Sequence, residues 1–220
     1  MLKKGKSTIS LILINIIIFI IMSMNGSTLE TNTLLKYGAM QNILVFNGQY
    51  WRLFTAMFIH IGTMHLLMNM FFLYTIGDIF EFIYGSKNFL ILYLLTGIFG
   101  NIFTYTFGDS ATVSAGASTA LYGLFGLALG IRKVYKDNPI LNKFGSSFVT
   151  IIVINIVYSL ISPGVSILGH LGGLIGGYIL AHSIPVNNTI IKRETKELYV
   201  AIFIISIIAG LVVGRVSILQ

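Results

Sequence analysis

The sequence predicts an all-α polytopic membrane protein, and three observations predict it. Of 220 residues, 55% are hydrophobic and only 10% charged, against roughly 25% charged in soluble domains; the mean hydropathy is +0.88. The apolar residues gather in runs close to the roughly 20 residues that cross a bilayer. The Lys and Arg residues sit in short clusters between those runs. This composition excludes a soluble enzyme and a disordered region, and the lack of cysteine excludes a disulfide-stapled secreted domain. The net charge of +7 sits in topology clusters rather than on a soluble basic face. The expected environment is therefore the lipid bilayer, with no nucleic-acid partner.

Seven spans follow in chain order: 8–24, 64–84, 88–107, 115–133, 144–161, 166–183 and 198–219. The first follows Lys3, Lys4 and Lys6, as a signal peptide would. Its apolar run is long and no small-residue cleavage site follows, so it reads as a retained helix. The fifth and sixth are separate helices because Pro163–Gly164 interrupts one long uncharged run. With the N-terminus inside, the inner segments hold Lys3, Lys4, Lys6, Lys87, Arg132, Lys133, Lys136, Lys143, Lys192, Arg193 and Lys196. The outer segments hold only Lys36, Arg52 and Arg215. That asymmetry predicts a multi-pass protein of the cell membrane with a cytoplasmic N-terminus and Gln220 outside. The connection 25–63 is long and carries Tyr37, Phe46, Tyr50, Trp51, Phe54 and Phe58. It reads as an interfacial element on the outer side, with Trp51 and Arg52 at headgroup level; a plain aromatic belt is the alternative.

Ionisable and polar groups inside spans are costly and mark functional sites. On this topology His60, His65 and Asn69, Ser118, and His170 all fall near the outer ends of spans two, four and six. Three stretches distant in sequence thus reach one membrane depth. His182 falls at the opposite end, as an interfacial residue. Ser118 follows Gly116, which permits a strained approach to the helix start, and the first N–H groups of a helix are free to donate to an oxyanion. Tyr122 lies on nearly the same face as Ser118. The competing reading is a hydroxyl bonded back to its own helix. Gly173 and Gly177 share the face of His170, and Gly126 and Gly130 repeat the spacing on span four, so the two helices are expected to pack closely. From spacing alone, a structural histidine in ordinary glycine-mediated packing is the slightly favoured reading. Likewise His65 and Asn69 share a face and both donate hydrogen bonds, as catalytic donors or as an interhelical pair.

Together these pieces resemble the rhomboid family of intramembrane serine proteases. The pieces are Trp51-Arg52, His60-x4-His65-x3-Asn69, Gly116-x-Ser118 with Tyr122, and Gly169-His170-x2-Gly173-x3-Gly177. They occur in the family's order over about 34–183. The resemblance implies a six-helix bundle plus a seventh C-terminal transmembrane helix, in one membrane domain over 1–220 (core about 8–184, extra helix about 198–219). It further implies Ser118 as nucleophile and His170 as general base, without a carboxylate. Asn69, His65 and the Ser118 N–H would form the oxyanion hole, and Tyr122 would stack on His170. The substrates it implies are single-pass transmembrane proteins cut near their outer end. Thr119 departs from the family's glycine after the serine, and a β-branched residue there is expected to narrow the space around the dyad.

Two other functions compete. An inactive rhomboid-like protein would bind membrane segments without cutting them, but such relatives typically lack the serine or the histidine. A small transporter would show internal repeats or paired broken helices, and neither is visible. No metal cluster, phosphate loop or nucleotide fingerprint appears, so neither a metal nor a cofactor is expected. The sequence does not set the oligomeric state.

Overall fold

The computed structural model describes residues 5–161 and 166–219. Lys3, Lys4 and the Pro163–Gly164 break lie outside the described residues. Helices α1 (Lys6–Asn25), α2 (Thr31–Tyr37), α3 (Asn42–Phe46), α4 (Arg52–Thr55), α5 (Gly62–Tyr84), α6 (Ser86–Phe107), α7 (Ser118–Val134), α8 (Pro139–Ile161), α9 (Ile167–Ala181) and α10 (Arg193–Leu219) follow in order. A two-residue strand β1 (Met40–Gln41) pairs antiparallel with β2 (Val113–Ser114). The seven expected spans correspond to α1 and α5–α10. The protein is multi-pass: α1, α5, α6, α8 and α10 are long and apolar enough to cross a membrane.

Helices α7 and α9 have only 17 and 15 residues, shorter than the expected 115–133 and 166–183. The reason is their place. Every residue from Thr119 to Ala128 is buried, so α7 is enclosed by protein rather than lipid. Irregular backbone is tolerated at membrane depth when protein satisfies its polar groups. The segment leading into α7 meets that condition. It is laddered to the first loop through Met40↔Ser114. The Gly116 N–H donates to the Ala56 carbonyl at 2.9 Å, and the Ala117 N–H donates to His60 Nε2 at 3.4 Å.

Glycines set the α7–α9 contact. A Cβ on Gly173 would lie 2.0 Å from the Thr119 carbonyl oxygen, and one on Gly177 would lie 2.0 Å from that of Gly123. From the other side, a Cβ on Gly126 would lie 2.0 Å from the Leu174 carbonyl oxygen. The two backbones touch, as the spacing predicts. Helix α8 is fixed at its N-terminal half, where Phe144 and Phe148 pack edge-on against Phe80 of α5 and Gly145 sits over the Ala128 carbonyl. Its C-terminal half is largely exposed apolar surface.

The outer helices attach through local chemistry. The Glu81 carboxylate accepts from the Ser7 N–H at 3.0 Å and from the Thr8 N–H and hydroxyl at 2.8 Å. It thereby caps the start of α1 and complements its dipole. Helix α10 lies on α6, with Gly214 against Tyr105 and Gly210 against Ile102, and Phe203 stacks on Phe99.

The long first loop is ordered rather than a plain belt. Trp51 is exposed, as expected, but Arg52 is turned inward. Its Nη1 donates to the carbonyls of Leu35 (2.8 Å) and Ala39 (2.7 Å), and its Nε to Gln49 Oε1 (2.6 Å). The guanidinium satisfies carbonyls at the end of α2, where the chain turns through Gly38 with φ +109°. Of the two residues expected at headgroup level, Trp51 is the exposed one. His182, expected at the interface, is also buried. It donates from Nδ1 to the Tyr178 carbonyl at 2.8 Å and stacks on Tyr199 of α10 at 4.1 Å.

Candidate active site

Ser118 is the first residue of α7. Ser23, Ser146 and Ser217 each bond the carbonyl four residues back. Among the described residues, Ser118 Oγ makes no such bond. The back-bonding reading of Ser118 therefore fails, and its hydroxyl stays available. The approach depends on Gly116, whose φ of +131° suits only glycine. A Cβ there would lie 2.8 Å from His65 Nε2 and 3.6 Å from Ser118 Oγ. His65 and Ser118 thus border one notch, although they come from α5 and α7.

His65 Nδ1 accepts from the Ile61 N–H at 3.4 Å, which leaves the proton on Nε2, the nitrogen beside the notch. One turn on, buried Asn69 donates from Nδ2 to the His65 carbonyl at 2.9 Å; its amide carries a second N–H. His60 precedes α5 and is fully buried. Its ring meets that of His65 edge-on at 5.2 Å. Burial, and then the neighbouring His65 ring, push His60 down to about 3. It is therefore a neutral prop, accepting from the Ala117 N–H beside Ser118.

His170 is 6% exposed. Its ring lies flat on Tyr122, with centroids 3.9 Å apart and planes 9° apart. The Gly173 and Gly177 contacts bring it there, one helical turn along α7 from Ser118. No hydrogen bond joins Ser118 Oγ to His170 among the described residues. The imidazole is instead held at its other edge, where Nδ1 is 2.8 Å from Ser159 Oγ on α8.

Thr119 does not crowd the serine. Its side chain packs against α6 and α9, where a Cβ on Gly100 or Gly169 would come within 2.9 Å of it. Those glycines supply the room that the extra atoms need. Sequence reasoning missed Ser159 and Asn155. Their signal was a polar pair four residues apart in an otherwise apolar run.

The rhomboid domain profile matches residues 47–185. The chain is 35% identical over 214 residues to Rhomboid protease GluP of Bacillus subtilis (strain 168), covering 94% of this chain and 40% of that protein. It is 34% identical over 140 residues to Putative rhomboid protease YdcA of the same organism, covering 64% of this chain and 70% of that protein. It is 33% identical over 179 residues to Rhomboid-like protease 3 of Toxoplasma gondii, covering 80% and 68%. The chain thus spans less than half the length of the first of these relatives.

Proposed function

The chain belongs to the rhomboid family, and from that premise we propose that it is an intramembrane serine endopeptidase acting through Ser118 and His170. One observation carries the reading: a buried imidazole lies flat on Tyr122, one turn from a serine whose hydroxyl makes no hydrogen bond among the described residues. His170 Nε2 takes the Ser118 proton as Oγ attacks the substrate carbonyl. The developing oxyanion meets the Ser118 N–H, Asn69 Nδ2 and His65 Nε2–H. Ser118 opens α7, so its N–H has no partner within the helix and is free to point at the oxyanion. The tetrahedral intermediate collapses as His170 gives its proton to the leaving amine. Water then attacks the acyl-serine ester as the same imidazole takes its proton, and the ester bond breaks as that proton returns to Ser118 Oγ, releasing the acid.

The substrates are single-pass transmembrane proteins. A scissile carbonyl must leave its helical hydrogen bond, so substrates unwind at the cut and favour helix-breaking or small residues there. The charge clusters support a cytoplasmic N-terminus, with the site near the extracellular side and all of 1–220 in one membrane domain. The test is fluorophosphonate labelling of the detergent-purified chain beside cleavage of a single-pass substrate. Both are expected in wild type and absent in folded Ser118→Ala and His170→Ala. A folded wild-type protein that neither labels nor cleaves overturns the reading in favour of a segment-binding, inactive relative.

A further inference from the structure

Ser159 lies in the last turn of α8, whose neighbouring side chains Tyr158, Leu160 and Ile161 are exposed. Ser159 alone in that turn faces inward and is 4% exposed. Four close contacts meet around it. Its Oγ is 2.8 Å from His170 Nδ1, 2.8 Å from the Tyr122 hydroxyl and 2.8 Å from the Asn155 carbonyl. The Tyr122 hydroxyl is also 2.8 Å from that same carbonyl.

The protons available decide the tautomer. The carbonyl only accepts, and each hydroxyl has one hydrogen. If Nδ1 were bare, two hydroxyl protons would have to serve four contacts, and two would be left as closed-up lone pairs. If Nδ1 carries its proton, Ser159 donates to Asn155, Tyr122 donates to Ser159 or Asn155, and Nδ1–H donates to Ser159. Ser159 has lone pairs for both. The second arrangement satisfies more of a buried network, where unmet polar groups are costly.

We propose that Ser159 is a positioning residue for His170: its oxygen accepts the Nδ1–H, fixing the ring in the tautomer whose Nε2 is bare and ready for the Ser118 proton. The proposal rests on the serine-protease reading above. It supplies the orienting partner that a base requires. No carboxylate is bonded to His170 among the described residues. A neutral hydroxyl orients the ring without adding a charge to a low-dielectric interior.

The test uses the full chain in detergent, with ring-15N histidine and the His170 signal assigned by its absence in His170→Ala. Wild type is expected to show a protonated Nδ1 and a bare Nε2. Ser159→Ala is expected to lower kcat about tenfold, the worth of one hydrogen bond, to leave KM within about twofold, and to average the two nitrogen shifts. Ser159→Thr, which keeps the hydroxyl, restores kcat and the shifts. A wild-type spectrum with the proton on Nε2 overturns the proposal whatever the variants do. So does a Ser159→Ala protein with wild-type kcat and shifts, or a loss of kcat that Ser159→Thr fails to rescue. If wild type neither labels with fluorophosphonate nor cleaves, the protease reading fails, while the tautomer measurement still decides the role of Ser159.

Discussion

Replacing Gly173 with alanine measures how closely α9 must sit on α7 for the proposed Ser118–His170 dyad to work. The new Cβ would stand 2.0 Å from the Thr119 carbonyl oxygen. An ordinary carbon–oxygen contact is about 3.3 Å, so the backbones must part by about 1.3 Å. Two terms bear on stability. Alanine in a helix interior gains about 1 kcal/mol over glycine, and overpacking costs about 1–3 kcal/mol. The net loss is then about 0–2 kcal/mol, and the protein folds. The effect on rate is larger, because His170 is three residues away on α9 and Ser118 adjoins Thr119 on α7. A misplacement of about 1 Å at a reacting pair costs about 100-fold. The assay is cleavage of a quenched-fluorescent single-pass peptide in detergent, with thermal melts in parallel. Expected are a melting point within a few degrees of wild type and a kcat about 100-fold down. Gly176→Ala is the control. Its Cβ meets Phe99 of α6 at 2.9 Å, a smaller overlap that presses on α6 rather than on α7, so its rate should fall much less. A Gly173→Ala protein with wild-type kcat would refute the claim that this backbone contact sets the dyad. Equal losses in the two variants would refute it as well.

Asn69→Ala should lower kcat about 100- to 1,000-fold with little change in KM, the signature of a lost oxyanion donor; steady-state kinetics on the same peptide check this. His60 is held at about 3 by burial and by the His65 ring, so the unfolded chain binds the extra proton first as pH falls. The stability that depends on a neutral His60 is complete above about 6.5 and lost progressively toward 3. At pH 5 the loss is about 2 kcal/mol. Melts at pH 7.5 and 5 should show it, and His60→Gln should remove that part of the acid sensitivity. Arg52→Lys should lower stability by about 2–4 kcal/mol, because a single ammonium nitrogen cannot hold Gln49 Oε1 through Nε and the Leu35 and Ala39 carbonyls through Nη1 at once; a melting point unchanged from wild type would show those bonds to be idle.

Some features were legible because they are local. Gly116 before Ser118 marks a backbone turn closed to other residues, and its φ of +131° agrees. The Gly173 and Gly177 face of α9 implied close helix contact, and that contact is present. Other features depend on partners that sequence spacing does not reveal. Arg52 reads as a surface cation until the carbonyls of α2 surround it. Thr119 reads as a crowding residue until Gly100 and Gly169 make space for it. Ser159 bonds the carbonyl four residues back, as any helix serine does, and nothing in its own helix shows that His170 is its other neighbour.

Hydropathy determined where the long apolar helices lie and the all-α polytopic architecture, since each helix is a property of about 20 consecutive residues and of water's aversion to apolar surface. Tertiary packing decided the depth and rotation of each helix. Glycine notches let α7 and α9 touch backbone to backbone, and a ladder and two hydrogen bonds fix the chain before Ser118. Those contacts are made between segments far apart in the chain. A single hydroxyl, imidazole or amide therefore acquires its neighbours, and with them its chemistry, only when the bundle closes.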